Sequence, residues 1–452
     1  MPRGRTAPAG TEGDRRPGRR HGWVTVTALA ILVVGAVTVV GRDTGPEASG
    51  GPAAVEVAFP DDPPPANATE PAGTAGATAR DWPVCRGGSG PVDCVRWRLS
   101  LRPHERDAVV AAHGRLLTAA TDGTLRGYHL SGGRPRWVRH LDGGDGAAVL
   151  LPVVAGTVPV VHGDRTTVVD LDTGAAIGGF DAPAPDAAQA VSPWLVTREG
   201  SLVVARSVTG DIAWEIEVAP TTTALLTAAG ALLSGADGRL TRLSTTTGRE
   251  RWTVELPAPV THATTVDGTT LVVTGAETSE LVAIDSPSGG IEWRLGLDGQ
   301  VRWLTAEPGE HLGAAVVATR GGDRVVVVEL RTGALLADSA LAERASGTLP
   351  PAVRGEVVAA AHAGPRPGLT IVDVAGGRAS VRRVALDRWP RRLAFAGRDL
   401  LAVADGTGVA VWDVRAGTRR WRAPLGSSSD LVLGEPLLVV GDRGVVALYA
   451  QP

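Results

Sequence analysis

The chain has 452 residues, a formal net charge of −3 and a hydrophobic content of 43%. The first 22 residues carry a charge of +4, so residues 23–452 carry −7. A mildly acidic main body does not suit a polyanionic phosphate backbone, which excludes nucleic acid as the expected partner. Lys is missing while Ala, Gly, Arg and Val abound, and this bias indicates a GC-rich bacterial genome, with an actinobacterium as our expectation.

The first 41 residues predict a membrane anchor. Residues 1–22 form a basic tail, and residues 23–41 contain no charged side chain. A helix of that length nearly spans the ~30 Å hydrocarbon core of a bilayer. Because basic residues stay on the cytoplasmic side, the bulk of the chain is expected on the outer side of the cell membrane. A cleaved signal peptide is the alternative, but the exit VTVVGRDTG lacks an A-x-A-like cleavage site.

A change of composition follows the predicted helix. Residues 42–81 are rich in Pro, Gly, Ala and Thr and hold too little apolar surface to fold, which predicts a semi-stiff linker. A folded extracytoplasmic domain is expected over residues 82–452. Its two cysteines, Cys85 and Cys94, would lie in a compartment that permits disulfides, and closing this short loop would stabilise the fold by about 2.5–3 kcal/mol. Redox catalysis is the alternative, although the C-x-x-C spacing is missing.

A unit that ends in G-x-x-x-W recurs along this domain. The copies are GRPRW at 133–137, GDIAW at 210–214, GRERW at 248–252, GGIEW at 289–293 and GTRRW at 417–421. Three further copies keep the glycine and lose the tryptophan, at Gly174, Gly333 and Gly377. Successive glycines lie 36 to 44 residues apart, and a period near 40 indicates a solenoid or a propeller.

Each unit contains about four short β-type runs separated by turn residues. Asp-Gly pairs at 122–123, 237–238 and 405–406 mark hairpins, because such turns need a positive φ. The sequence therefore predicts an all-β propeller of four-stranded blades, which leaves only short strand edges. The C-terminal LVVGDRGVVALYAQP lacks an outer strand, and VRWRLSL at 95–101 is expected to supply it. Eight blades are expected, since the unit at 148–189 is weak, and nine is the alternative.

Two repeated positions are predicted to be structural. A large indole on an outer strand can wedge against the next blade, with glycine leaving room for it. This role is assigned to Trp97, Trp137, Trp214, Trp252, Trp293 and Trp421. The position four residues before each glycine is acidic in five of eight units. We expect these side chains to cap the following turn, which fits this position better than a metal ligand does.

The units resemble the repeats of the pyrroloquinoline-quinone-type (PQQ-like) propeller family. VAIDSPSGGIEW at 282–293 and LTRLSTTTGRERW at 240–252 are similar to the family pattern of a strand ending in A-L-D, then T-G, three residues and Trp. The resemblance covers about residues 95–450 and implies a propeller. In dehydrogenases of the family it also implies a quinone, a Ca²⁺ site and a catalytic Asp. No cluster in this sequence matches that site, so no catalytic, cofactor-binding or metal residue is assigned.

The expected function is that of a membrane-tethered, non-catalytic ectodomain that binds a protein or cell-envelope ligand. A compact quinoprotein dehydrogenase is the alternative. Hairpin loops and blade-to-blade loops should share one face, and Trp389 lies there outside the repeat position. Because exposed Trp and Arg are typical interface anchors, the candidate interface consists of Trp389, Arg388, Arg391, Arg392 and Arg366. In the alternative, Trp389 covers a blade edge and the arginines are merely solvated.

Overall fold

The computed structural model describes residues 94–99, 108–130, 133–141, 148–181, 184–342, 347–363, 366–396, 398–405, 407–424, 430–432, 437–441 and 444–449. The predicted tail, transmembrane helix, linker and Cys85 lie outside these residues, so the anchor, the domain boundaries and the disulfide stay predictions. Within the described ranges, no helix is long and apolar enough to cross a membrane.

The described strands form nine antiparallel sheets, which we number as blades in chain order. Blades 1 to 3 contain β2 Ala108–Ala112, β3 Arg115–Ala119, β4 Thr124–His129 and β5 Pro135–His140; β6 Val149–Leu150, β7 Thr157–His162, β8 Arg165–Asp170 and β9 Ala176–Asp181; β10 Ala187–Val191, β11 Trp194–Glu199, β12 Leu202–Arg206 and β13 Ile212–Glu217. Blades 4 to 6 contain β14 Thr222–Thr227, β15 Gly230–Gly235, β16 Arg239–Leu243 and β17 Glu250–Glu255; β18 Val260–Val266, β19 Thr269–Thr274, β20 Ser279–Asp285 and β21 Ile291–Leu297; β22 Gln300–Ala306, β23 Leu312–Thr319, β24 Gly322–Glu329 and β25 Leu335–Ala342.

The last three blades include the one irregular sheet and the sheet that joins both ends of the domain. Blades 7 to 9 contain β26 Gly347–Thr348, β27 Ala352–Arg354, β28 Val357–Ala363, β29 Gly368–Asp373 and β30 Ser380–Ala385; β31 Pro390–Phe395, β32 Leu400–Asp405, β33 Gly408–Asp413 and β34 Thr418–Pro424; β1 Cys94–Leu99, β35 Asp430–Val432, β36 Leu437–Gly441 and β37 Gly444–Tyr449. Blade 7 has five strands because two short segments, β26 and β27, both pair with β28. A 3-10 helix, Ala375–Gly377, links β29 to β30.

The nine blades close into a ring, which confirms the predicted propeller. The first strands of successive blades contact one another, and β35 of blade 9 contacts β2 of blade 1. Between blades 2 and 3 the contact is a cluster that joins Val161 to Leu195. Blade 9 is completed by β1, which pairs with β37 in the order β1-β37-β36-β35, as the sequence predicts.

The sequence analysis expected eight blades, with nine as the alternative, and the structure has nine. Eight sheets have four strands and blade 7 has five, so nine sheets are present in the described part of the chain. The weak unit at 148–189 is a complete blade, although its first strand has only two residues. Its strand pattern is hard to see in the sequence because this short β6 carries almost no periodic signal.

Indole side chains at the repeat position join neighbouring blades at four places in the described part of the chain. The fourth strand of blade 4 carries Trp252, which is 7% exposed and whose Nε1 donates a hydrogen bond to the Ser286 carbonyl of blade 5 at 2.7 Å. Gly289 of that same blade 5 turn packs against the indole, and a Cβ there would lie 2.7 Å from Cγ of Trp252. The equivalent pairs are Trp137 with Gly174, Trp214 with Gly248, and Trp293 with Gly333. Trp97 and Trp421 lie in β1 and β34, and their side chains are outside the described set.

Three blades lack the tryptophan, and each fills the position differently. In blade 7 Arg382 pairs with Ile371 at this register and donates hydrogen bonds to the carbonyls of Val414 and Arg415 in blade 8. A Cβ at Gly417 would lie 2.5 Å from Cδ of Arg382, so the arginine stem packs where an indole would. Blade 2 has Gly178 at this position, against the Thr209 backbone, and blade 6 has the buried Ala337.

The acidic position before each turn caps the turn, as the sequence predicts. Oδ1 of Asp170 accepts hydrogen bonds from the backbone amides of Asp172 and Thr173, at 3.0 and 2.8 Å. Asp285 accepts from the Ser288 amide at 2.8 Å in the same way. The turns capped by Asp170 and Asp285 present Gly174 and Gly289, both at positive φ, to the indole of the preceding blade. This position therefore orients the contact between blades.

The contact between Trp252 and Gly289 is expected to carry much of the stability of the ring. Trp252→Ala should lower the free energy of unfolding by about 3–5 kcal/mol, because it leaves a cavity between two blades. Gly289→Ala should also destabilise, since φ is +79° and the new Cβ would overlap the indole. Gly156→Ala is the matched control, with φ at +78° but no atom within 4 Å. Denaturant unfolding measures these losses, and equal losses for the two glycine variants would contradict the contact.

Candidate functional site

Two loops of blade 7 meet at one end of the sheet and carry Arg366, Arg388 and Trp389, and the other two predicted residues, Arg391 and Arg392, follow in β31 of blade 8. His362 pairs with Gly368 at the base of the β28–β29 hairpin, and Gly368 pairs with Ala385 at the end of β30. The amide of Leu386 then donates to the Pro367 carbonyl at 2.9 Å. This bond fixes the connection from β30 to β31 beside the hairpin. The segments 366–368 and 386–390 therefore form one continuous edge.

Four of the five predicted interface residues face solvent, and the fifth is half-buried. Arg366, Arg388, Arg391 and Arg392 are exposed, whereas Trp389 is half-buried and stands directly before the buried Pro390. We call Arg366, Arg388, Trp389, Arg391 and Arg392 the Trp389 surface. The structure thus brings all five predicted residues to the same part of the ring. An indole that is anchored on one side and open on the other suits a contact residue.

Carboxylates near the Trp389 surface are already paired within the ring. Asp387 accepts a hydrogen bond from Arg419 at 2.6 Å, and Asp405 forms an ion pair with Arg422 at 2.7 Å. Burial alone would raise the pKa of Asp405, but hydrogen bonds from Thr407 and Arg422 hold it below its ordinary value. Asp405 therefore stays ionised near neutral pH and keeps Arg422 in place.

The charge of blades 7 and 8 differs from that of the rest of the ring. Residues 366–424 hold twelve Arg and five Asp, whereas residues 94–365 carry a net charge of −7. Four of those five carboxylates form ion pairs with arginines of the same segment, namely Asp387, Asp399, Asp405 and Asp413. The surplus arginines give this sector a positive field within an acidic ring.

A buried histidine supports the hairpin beneath the Trp389 surface. His362 is 7% exposed, and burial lowers its pKa, with the nearby Arg383 lowering it further. The imidazole of His362 therefore stays neutral at pH 7. A Cβ at position 368 would lie 2.7 Å from Nε2 of His362, which explains the glycine there. The base of the hairpin is thus closely packed, while Arg366 beside it is exposed.

Two other loops lie on this face, the blade-to-blade connection at 181–189 and the hairpin at 319–323, and both have residues with structural partners. Oδ2 of Asp186 accepts a hydrogen bond from the Gly200 amide at 3.0 Å. Asp323 is buried, its pKa is raised by that burial, and it lies 3.5 Å from the guanidinium of Arg302. These contacts hold the loops at 181–189 and 319–323 against neighbouring strands. The structure therefore favours the Trp389 surface over these two loops as a contact site.

A quinone with its Ca²⁺ would need a cluster of oxygen ligands. Within the described ranges, no group of three His, Cys, Asp or Glu side chains is placed to hold a metal ion. The acidic residues of the repeat point instead at backbone amides of their own turns, as Asp170 and Asp285 do. The donor set therefore does not fit this cofactor, and no catalytic step is derived through it.

Fold and repeat together define a β-propeller of the quinone-type repeat class. The family model described as outer membrane protein assembly factor BamB matches residues 198–423, which is half of the chain. The chain belongs to this family. No curated protein matches it.

Several solved structures are similar to the chain. BamB from Moraxella catarrhalis is 16% identical with a TM-score of 0.46, and the match covers 77% of this chain and 98% of that one. The computationally designed Ika8 protein is also 16% identical, with a TM-score of 0.47 and coverages of 77% and 98%. Sqt1 from Saccharomyces cerevisiae is 12% identical, with a TM-score of 0.47 and coverages of 78% and 98%.

Proposed function

We propose that this protein is a membrane-tethered, extracytoplasmic propeller that binds a partner protein through the Trp389 surface and catalyses no reaction. The observation that carries the proposal is a half-buried tryptophan among exposed arginines, on the positive sector of an otherwise acidic ring. Trp and Arg dominate the binding energy of many protein interfaces, because both bury large areas while keeping a polar group. The family model, named after an assembly factor, is consistent with a binding role.

The chemistry of the surface indicates what the partner presents. Exposed arginines form bidentate hydrogen bonds with carboxylates, and their field steers acidic groups toward the edge. The open side of Trp389 offers an apolar contact between those cations. The partner is therefore a protein segment that carries Asp or Glu around at least one apolar side chain.

The tether rests on the N-terminal sequence. An uncharged span at 23–41 follows a tail with a charge of +4, and the Pro-rich linker at 42–81 would hold the ring away from the bilayer. In this arrangement the Trp389 surface meets partners outside the cytoplasm.

Binding through the Trp389 surface can be tested with a photo-crosslinking amino acid at position 388 in intact cells. We expect one discrete crosslinked protein with an acidic segment. Trp389→Ala should reduce its yield about tenfold or more, as truncation of an interface hot spot does. Arg366→Gln/Arg392→Gln should also reduce the yield, because it removes two cations from the surface.

The matched control is Arg378→Gln/Arg398→Gln. These two arginines are equally exposed but lie in turns at the opposite end of blades 7 and 8, so crosslinking should persist. Equal loss in both double variants would contradict a local interface, and a crosslink to nucleic acid would overturn the choice of partner. Trp389→Ala should melt close to the wild-type protein. A loss as large as that of Trp252→Ala would place Trp389 in the core.

The topology predicts that protease added to spheroplasts digests the ring and linker and leaves a short membrane-bound fragment. The cytoplasmic tail is protected by the bilayer in this arrangement. Immunoblots with tags at both termini measure the outcome, with a cytoplasmic protein as the integrity control. Survival of the C-terminal tag would refute the proposed topology, and release of the whole protein into the medium would indicate a cleaved signal.

A non-catalytic ring should not respond to pyrroloquinoline quinone and Ca²⁺. We expect neither a stoichiometric visible chromophore nor a rise in melting temperature when both are added to the purified protein. Dye reduction with alcohols or sugars should equal the rate without protein. A bound chromophore with substrate-dependent dye reduction would overturn the binding function in favour of a quinoprotein dehydrogenase.

A further inference from the structure

A cavity of about 580 Å³ lies where blades 4, 5 and 6 meet. Its rim contains the turns between first and second strands at 228–229, 267–268 and 308–309. In an antiparallel blade these turns lie at the end opposite the hairpins between second and third strands. The cavity is therefore on the other end of the ring from the Trp389 surface, and nothing in the proposed function uses it.

Arg242 lines this cavity and breaks the pattern of the repeat. It pairs with Trp252 at a register that holds only small or aliphatic residues in the other seven units, namely Gly127, Val168, Ala205, Ala283, Val327, Ile371 and Val411. The arginine is 91% buried, since its exposed fraction is 9%. Burying an unpaired cation costs several kcal/mol, so the packing of the repeat does not explain this residue.

The contacts of Arg242 leave its charge without a bonded carboxylate. Nη1 donates to the Ser286 carbonyl, and Nη2 donates to the Ala229 carbonyl at 3.1 Å. The Ser286 carbonyl already accepts the Trp252 indole N–H, as the equivalent carbonyls do in other blades, so it does not require the arginine. Nε is buried and makes no hydrogen bond to the described residues.

A second arginine stands at the same cavity. Arg251 is exposed, and its charge lowers the pKa of Arg242, which burial has already lowered more strongly. Two carboxylates are nearby, but each is held by backbone amides. The Asp267 carboxylate accepts a hydrogen bond from the Gly309 amide, and the Asp285 carboxylate accepts one from the Ser288 amide. Asp285 acts on Arg242 only through its charge. The strongest unsatisfied donors at the cavity therefore belong to arginine.

Hydroxyl groups complete the lining. Oγ1 of Thr265 lies 3.2 Å from that of Thr270, which in turn lies 2.5 Å from Oγ of Ser286. Thr265 and Ser286 line the cavity. A hydroxyl can rotate its proton toward a new acceptor, so these hydroxyl groups offer neutral donors beside the two guanidinium groups.

We propose that this cavity binds a compact organic ligand through a carboxylate or phosphate group. The oxyanion would lie beside Arg251 and the lining hydroxyls, in the field of the buried Arg242 guanidinium, since charge-assisted hydrogen bonds from guanidinium groups are the strong ones. A bare anion would leave most of the volume empty, whereas cavities of roughly 300–1,000 Å³ hold small organic molecules. The ligand therefore carries an apolar body next to Val266, Pro287 and Pro308.

Isothermal titration of the full chain in detergent tests the site with four probes: inorganic phosphate, phenyl phosphate, acetate and phenylacetate, each against sodium chloride at equal ionic strength. We expect saturable one-to-one binding of at least one phenyl probe, tighter than its inorganic or methyl counterpart. Arg251→Gln should weaken that binding about tenfold or more, the effect of losing one charge-assisted hydrogen bond. Arg249→Gln is the control, because Arg249 is exposed two residues earlier, just before β17, but does not line the cavity.

Arg242→Val places the residue type of the repeat at this register. It should abolish binding and melt at or above the wild-type temperature, because a buried cation is replaced by a side chain that the blade packing favours. If this variant does not fold, Arg251→Gln decides the question. Absence of saturable binding for all four probes would overturn the site. The site would also be overturned if Arg251→Gln and Arg249→Gln weakened binding equally, or if phenyl and simple anions bound equally well. Either result would mean that the anions are held only by general electrostatic attraction.

Discussion

The contact between an indole and a glycine of the next blade is the interaction on which the ring depends. It fixes the distance between sheets, because the indole packs directly on a backbone that has no side chain. It also fixes their relative height, because the indole N–H reaches one particular carbonyl of the adjacent turn. Arg382 meets both requirements with a different chemistry, using its stem for the packing and its guanidinium for the carbonyls. The geometry of the junction is thus preserved even where the residue type is not.

Since the junctions account for four tryptophans of the repeat and for the carboxylates that cap its turns, the residues that packing does not explain become more informative. Burying an arginine inside a blade is costly because its charge loses its hydration. Arg126 and Arg206 are buried as well, and Arg206 is paired with Glu199. The accumulation of arginine on blades 7 and 8, and Arg242 at the register opposite Trp252, are two places where the chain departs from a self-sufficient scaffold. They lie at opposite ends of the ring and involve different blades, which allows two ligands to be held without competition.

Periodicity predicted the fold well, because each blade repeats the same turn chemistry and the same spacing of apolar residues. The G-x-x-x-W unit identified the fourth strands, and the unpaired C-terminal strands predicted the closing strand β1. Periodicity predicted the number of blades less well, because β6 has only two residues and blade 7 divides its first strand. The roles of Arg382 and Arg242 could not be predicted from the sequence for another reason. Their significance lies in strand register, and the absence of a bulge between β29 and β30 shifts Arg382 one place relative to the Trp pattern.

The pairing of β1 with β37 has a consequence for how the ring can assemble. Every other sheet in the described part of the chain joins strands that lie close together in sequence, so those blades need only local contacts and small loop closures. Blade 9 alone requires two segments that are separated by the length of the whole domain. During synthesis a nascent chain can complete eight sheets in order, yet blade 9 cannot form until residues 444–449 have left the ribosome. Until then the ring has two open ends, and β1 is an unpaired strand awaiting its partner.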